Sequence, residues 1–548
     1  MKFAGMVVIG VLASALVASG QEPDSPPPQA RGNTATPAAA PTGGFPRRWS
    51  RLKPGTQPAV RTWRKTDEPS KAQPAREQAA PNRTPEVRAV QYEETLGVPA
   101  GAAAGPGIPS ATMPGGGPPP QPDAASPPGA AGGQPPRGSM PVSSNPGAVN
   151  IQAGTGALGR FLGIPDESGV RFGGLWIGDA SGTLVGGIEP GHWGETSLTI
   201  ADIYLDFEKM WGWKGGSFGT EFLQFSGQAV NEMAGTFPGF NSLEGSPPLV
   251  RQQLYQLWYR QEFGDKLIVR IGKSIPTYDF GNVVRPVPVS DPSAAIPAVS
   301  SLLYTPIFVN PTMLGIIPGY YNSATGITTT LTPTERLYLN YGFYDGNRAN
   351  HVQTGLTGPR FNGYYFHIGE VGYAYRLGEE RKPGNFGIGG WGQTGKLDSF
   401  EGGKTTGAAG LYLFGAQRLW YRHPDVDNSG VSGFYQYGVN NSNALLARDY
   451  VGAGLTGFGL VPGRPNDSMG CGIAWTALTR GYNASTVFFP HRPPGQISPS
   501  ELMLQWYYQM KLANGWFFQT TLTEIPTPGI RATVPSAFTI SLQLIVLF

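Results

Sequence analysis

The stretch from Phe538 to Phe548 constrains the fold more than any other. Phe538, Ile540, Leu542, Leu544, Val546 and Phe548 put an apolar residue at every second position. Thr539, Ser541, Gln543, Ile545 and Leu547 fill the places between. Side chains alternate across the two faces of a strand, so one face here is wholly apolar and the other mostly polar. In water such a strand leaves a frayed apolar edge that invites aggregation. A closed barrel in a bilayer has no edge and turns its apolar face to lipid. The competing expectation is the last strand of a soluble β-sandwich.

Composition favours the barrel. Charged residues make up 14% of the 548, while Phe (27), Tyr (23) and Trp (12) are plentiful. Few charges with many aromatics suit strands that cross a bilayer between aromatic girdles. A net charge of +3 gives no case for nucleic acid as a partner. The lone cysteine, Cys471, excludes an intrachain disulfide and a cysteine-based metal cluster. It reads as a small apolar strand residue.

The N-terminus reads as an export signal over residues 1–20. Lys2 is the charged start, residues 7–17 the apolar core, and Ala18-Ser19-Gly20 the small-residue cleavage site. No later apolar run is long enough for a spanning helix, so a membrane form of this chain must be a barrel. Residues 21–150 are dominated by Pro, Ala, Gly and Gln, as in Pro26-Pro27-Pro28 and Pro118-Pro119-Pro120. Such a stretch cannot bury enough apolar surface to offset the entropy of ordering, which predicts a disordered periplasmic arm. Arg47, Arg48, Arg51, Lys53, Arg61, Arg64 and Lys65 make part of it basic, with Trp49 and Trp63 among them. The arm is either a tether to the cell wall or an exposed, charge-solubilised linker.

From residue 151 to 548 the texture is short alternating stretches separated by Gly, Asn, Asp and Pro. In residues 200–209, Ile203, Leu205 and Phe207 oppose Asp202, Tyr204, Asp206 and Glu208. The following Met210-Trp211-Gly212-Trp213-Lys214-Gly215-Gly216 is a turn with two aromatics suited to a membrane interface. In residues 252–262, Tyr255, Leu257 and Tyr259 oppose Gln252, Gln256, Trp258, Arg260 and Glu262. After the Gly264-Asp265 turn, Leu267, Val269 and Ile271 oppose Lys266 and Arg270, which completes a hairpin. In residues 336–344, Leu337, Leu339, Tyr341 and Phe343 oppose Arg336, Tyr338, Asn340 and Tyr344. In residues 501–512, Glu501, Gln505, Gln509 and Lys511 oppose Leu502, Leu504, Trp506, Tyr508 and Met510. Pairing is expected to resume at residue 320 after a long Pro-rich loop over 281–318, a length that usually marks function. Counting all candidates predicts an all-β fold, a transmembrane antiparallel barrel of about 16 strands, since bacterial barrels carry even numbers.

Motifs for chemistry are weak. Gly215-Gly216-Ser217-Phe218-Gly219 fits a nucleophile elbow, but it leads into strand-like alternation where an elbow needs a helix. Gly452–Gly457 and Gly387–Gly392 both fit G-x-G-x-x-G without opening a helix. Glycines in barrel strands more often serve bending or close approach. The five histidines have no partner at metal-ligand spacing. The reading assigns no catalytic residue, no cofactor and no metal. What stands out is the polar face of the strands. Arg260, Arg270, Arg336 and Lys511 lie beside Asp202, Asp206, Glu208, Glu262 and Glu501, with Trp258, Tyr338 and Tyr344 interleaved. Guanidinium donors, carboxylate acceptors and aromatic faces suit a neutral polyol bound weakly at several places, which is what conduction needs. The alternative is an ordinary wet lining whose charges pair with one another.

From residue 158 onward the chain resembles the carbohydrate-selective porins of the OprB type. The resemblance rests on Leu205-Asp206-Phe207-Glu208-Lys209-Met210-Trp211-Gly212-Trp213-Lys214-Gly215 and on the hairpin 254–273. It rests also on Leu337-Tyr338-Leu339 with Phe343-Tyr344-Asp345-Gly346, and on Arg464-Pro465-Asn466-Asp467-Ser468-Met469-Gly470 before Glu501-Leu502. It implies a 16-stranded barrel in the outer membrane lipid that passes small sugars by diffusion, with a homotrimeric assembly and a lumen narrowed by arginines and acidic groups. The arm before residue 150 is not part of the pattern, and the 281–318 loop does not align with it. The alternatives are a general porin, an outer-membrane enzyme on a barrel, and a secreted lectin.

Overall fold

In the computed structural model the described residues are 156–548, apart from 246–247, 290–295, 297–298, 401, 425–426, 428 and 480–496. The signal and arm readings lie outside them. Among the described residues, sixteen strands form one closed barrel. They are β1 (Val170–Val185), β2 (Trp193–Asp206), β3 (Gly216–Gly227), β4 (Val250–Phe263), β5 (Leu267–Ser274), β6 (Ala324–Leu331), β7 (Leu337–Asp345) and β8 (Tyr365–Leu377). Then follow β9 (Lys382–Asp398), β10 (Lys404–Tyr421), β11 (Gly430–Asn440), β12 (Ala447–Phe458), β13 (Ser468–Leu478), β14 (Ser500–Ala513), β15 (Trp516–Ile525) and β16 (Ala537–Leu547). Each pairs antiparallel with the next, and β1 closes on β16 with Asp179 opposite Gln543. Closure leaves no open edge, so every ladder group in the wall has a partner strand.

The alternation of β16 sorts as its sequence demands. Ala537, Thr539, Ser541, Gln543, Ile545 and Leu547 are buried inside the barrel, while Phe538, Ile540, Leu542, Leu544 and Val546 lie on the outer face. The outer face continues round the wall with Trp176, Phe222, Leu254, Ile271, Ile388, Leu411, Leu455 and Trp506. Cys471 pairs with Leu455 on that same face. A continuous apolar exterior on a closed antiparallel wall is the lipid-facing band of an outer-membrane barrel.

Several sequence expectations need correction. The strand expected over 200–209 ends at Asp206. Phe207–Trp211 is instead a helical turn, α1, whose first N–H groups at Glu208 and Lys209 bond the Asp206 carboxylate. A bulge opposite Glu221/Phe222 shifts the register of β4, so Tyr255 joins Gln256 inside and Gln252 turns outward. Pairing resumes at Ala324, because Tyr320 (φ 48°) and Tyr321 (φ 70°) sit in a left-handed turn closed by the Gly319–Asn322 bridge. Ser217 lies within β3 opposite Arg260, which is not the strand-to-helix turn an elbow needs. Both G-x-G-x-x-G matches are strand interiors, in β9 and β12.

Glycines of the wall strands make room for the inner aromatics. A Cβ at Gly372 would stand 2.3 Å from the Tyr338 ring, one at Gly389 2.2 Å from Tyr412, and one at Gly410 2.6 Å from Trp391. The rings of Tyr338, Tyr412 and Trp391 thus each lie over a glycine of the neighbouring strand.

The core sits inside the barrel. The loop between β5 and β6 is longer than expected, 275–323, and its described residues fold into the lumen. Its Phe280, Val284, Leu302, Ile307, Met313 and Ile317 pack with Tyr338, Phe366, Trp391, Tyr412 and Phe434 of the wall. A second loop, 228–249, carries the helical turn α2 (Val230–Ala234) and bends over β1 and β14. There Asn241 donates to Asp179 (2.8 Å) and Gln505 donates to the carbonyl of Phe240 (3.1 Å). The connections at the opposite end are short, such as 264–266 and 514–515. The aromatic turn expected at Met210–Gly216 is at that end, with Trp211 66% and Trp213 55% exposed.

Candidate functional site

The loop 275–323 decides what remains of the lumen. Amide side chains fix it to one wall. Gln505 accepts from Tyr304 N–H (3.0 Å), Gln509 donates to Ser301 (3.0 Å) and Gln519 donates to the Ser301 carbonyl (2.8 Å). Asn440 donates to the Thr312 carbonyl (3.2 Å), and Asn310 of the loop donates to Tyr437 O (3.0 Å). On the facing wall charged groups join the anchors. Arg270 pairs with Asp279, Asn340 donates to the Asp279 carbonyl (3.1 Å), and Glu370 accepts from Gly281 N–H (2.6 Å). Glu370 also accepts from the hydroxyls of Tyr338 (2.8 Å) and Tyr412 (2.9 Å).

Beneath the loop, towards the short-turn end, β1 to β6 carry an inward polar patch. Arg171 pairs with Asp202 at 2.7 Å, and its guanidinium lies 5.8 Å from the Tyr204 ring. The ladder sets Asp202 opposite Glu221, Glu221 opposite Gln256, and Arg260 opposite Arg270. Two like charges directly opposite repel. Each is compensated separately, Arg260 by Glu262 at 2.8 Å and Arg270 by Asp279. Arg270 also lies 5.8 Å from the Trp258 ring and donates to Thr328 (3.3 Å). From the loop, Arg285 stacks 3.6 Å from the Tyr278 ring centre.

The structure therefore gathers Asp202, Trp258, Arg260, Glu262 and Arg270 of the expected lining. It does not gather the rest. Tyr338 and Tyr344 face inward but are completely buried, Tyr338 on Glu370 and Tyr344 on Thr328 (2.6 Å), because the loop covers them. Asp206 and Glu208 serve α1, where Glu208 accepts from Gly215 N–H (3.2 Å). Arg336 precedes β7 in a short turn, and the Lys511 N–H closes another turn on Asp467 (3.0 Å). Glu501 is at the far wall and the opposite end, holding the tips of two loops.

The sequence reading missed Arg171, Glu221, Asp279, Arg285 and Glu370. Glu221 and Glu370 occupy inward positions of β3 and β8, where alternation alone points a charge into the lumen. Asp279 and Arg285 had no such signal, because their loop has no period.

At the long-loop end lies a cleft of about 510 Å³ between loops. Its wall includes Glu244, whose carboxylate accepts from Asn231 N–H (2.5 Å). Burial pushes the Glu244 carboxyl up to about 8, opposed by that hydrogen bond and helped by Glu232. An acid raised from its usual 4.5 holds its proton when folded, so packing of the loop 228–249 weakens as pH climbs from about 4.5 to 8. Amide exchange in this loop should be faster at pH 9 than at pH 5.5 after correction for intrinsic rates. Glu244→Gln should flatten that difference, and an unchanged difference in the variant would contradict the assignment.

Residues 201–548 match the model of the carbohydrate-selective porin, OprB family. The high-pH structure of OprB from Pseudomonas putida is similar at 18% identity, over 74% of this chain and 100% of that one, with a TM-score of 0.59. Its low-pH structure is similar at 15% identity, over 72% and 97%, with a TM-score of 0.45. A loop-deletion form of the outer membrane protein OmpT of Vibrio cholerae shares 8% identity over 69% and 98%, with a TM-score of 0.40. No curated protein matches the chain. The first of these structures is a likeness of fold, and the family match spans β3 to β16 together with the lower half of β2. With an apolar exterior, a polar inner wall and a loop drawn into the lumen, the chain belongs to the OprB family of carbohydrate-selective porins.

Proposed function

We propose that the chain passes mono- and oligosaccharides into the periplasm by passive, carbohydrate-selective diffusion. The observation that carries this reading is the patch of Arg171, Trp258, Glu262 and Arg270, backed by the buried Asp202 and Arg260, on one wall beneath the inserted loop. Paired guanidinium and carboxylate groups offer donors and acceptors at near-zero net charge. That favours a neutral polyol over an ion. An indole beside them supplies a face for the sugar's C–H surface. Contacts that are already internally paired bind a passing solute only weakly, and weak sites in series speed transit. The runner-up is a general porin whose charges are only solvated. A homotrimer and a contact of the N-terminal arm with the cell wall complete the proposal, on family resemblance and the arm's basic composition respectively.

The test is liposome swelling with the folded full chain, comparing glucose, a disaccharide and an amino acid close to glucose in size. Faster sugar entry than size dictates supports the selective pore, whereas entry ordered by size alone supports the general one. Arg260→Ala with Arg270→Ala should raise general conductance and cut the sugar preference by roughly fivefold, about 1 kcal/mol. Arg270 should contribute more than half, because it also holds Asp279 of the loop. Unchanged selectivity in the double variant would remove both arginines from the path.

A further inference from the structure

The cleft at the long-loop end has a composition of its own. It lies between the loops 228–249, 275–323 and 346–364 and the tips beside β9 and β12. Phe237 and Tyr320 give it aromatic surface, Glu232, Glu244 and Asp398 give it acceptors, and Arg348 gives it a guanidinium. Burial, followed by the neighbouring charge of Arg251, lowers Arg348 to about 10, so it still carries its charge at neutral pH. Donor, acceptors and flat rings around a volume of about 510 Å³ match what small-molecule sites offer, and the space suits one or two sugar rings.

The second observation is where Tyr320 stands. Its ring lines this cleft and also a void of about 10 Å³ between the loop 275–323 and the wall, where Leu198, Tyr255, Tyr278 and Arg285 meet it. That void holds about one water. Tyr320 is therefore a partition with the open cleft on one side and a space too small for a sugar on the other. It is held in place by its hydroxyl, which donates to the Ser242 carbonyl of the facing loop, and by the left-handed turn it shares with Tyr321.

We propose that this cleft is a docking site for a neutral saccharide on the outer side, occupied before the sugar reaches the arginine patch, with Tyr320 as its floor. The proposal rests on the porin reading. A docking site fills up, so it makes entry saturable, and it does so from the loop side. The geometry assigns hydroxyl recognition to Arg348 and Glu244 and ring packing to Tyr320.

The test measures swelling of liposomes carrying the full chain over a concentration series of glucose and of maltose, with ion conductance in planar bilayers alongside. Wild type should saturate. Arg348→Ala with Glu244→Ala should raise the half-saturating sugar concentration about tenfold, leaving entry at saturating sugar and ion conductance within about twofold. Ala349→Trp approaches from the other side by filling the cleft, and should slow entry at low sugar more than it slows ion flow. A heat-modifiable shift in gel mobility establishes that each variant is folded. Sugar entry that stays linear in wild type, or keeps its half-saturation in both variants, overturns the docking site and leaves the porin standing. No sugar entry through folded wild type overturns both.

Discussion

Glu370→Ala is expected to release the lumen loop and raise single-channel conductance severalfold. One carboxylate on β8 receives the N–H of Gly281 and the hydroxyls of Tyr338 and Tyr412. Truncation strands three donors under an apolar loop. Each buried donor left without a partner costs about 1–3 kcal/mol, so the total is at least about 3 kcal/mol. The loop can recover part of this only by letting water in, which means lifting its 279–285 edge off the wall. Planar-bilayer conductance reads the widening directly, and swelling assays should show sugar preference falling with it. Glu370→Gln keeps the shape and one acceptor oxygen and should fall between the two. Wild-type conductance in a folded Glu370→Ala protein would show that the apolar contacts and the remaining polar anchors hold the loop without Glu370.

Glu501→Ala should do comparable damage to stability while leaving the arginine patch alone. Glu501 is 1% exposed on β14 and binds two loops at once. It accepts from Phe237 N–H (2.8 Å) and the Thr236 hydroxyl on one loop, and from Gly529 N–H (2.6 Å) on another. Loss of three charge-assisted or buried bonds predicts about 3–5 kcal/mol. The barrel-to-unfolded gel shift should occur at a lower temperature, with faster exchange in residues 228–237 and 526–536. Conductance through the arginine patch should change less than in Glu370→Ala. A variant as heat-resistant as wild type would sink the stapling role.

How much of this was legible depended on periodicity. The alternation of 538–548, 501–512 and 337–344 carried over residue for residue, because each segment is half lipid-facing and half buried. Periodicity failed where one residue was added, as at Tyr255, since a bulge leaves composition unchanged while reversing everything beyond it. It failed again at Glu208, where a capped helical turn mimics two more strand positions. The site was legible as a set of residue types but not as a place. Arg260 and Arg270 were correctly set across one hairpin, yet the partner that fixes Arg270 is Asp279, from a loop with no pattern to read. Tyr338 and Tyr344 were correctly turned inward and then covered by the same loop.

The two sides of that loop are held by different kinds of bond, and this has a mechanical consequence. Along β11 to β15 the attachments are neutral amides, which neither salt nor a transmembrane voltage disturbs much. Along β5 to β8 they depend on Arg270, Asp279 and Glu370. A unit charge moved through the full 100 mV gains about 2.3 kcal/mol, whereas burial shields Glu370 and the Arg270–Asp279 pair from screening by salt. The loop is thus fixed by neutral bonds on one side and by charged groups on the other. A transmembrane voltage therefore acts on the charged side of the loop, beside the arginines, more than on the amide side.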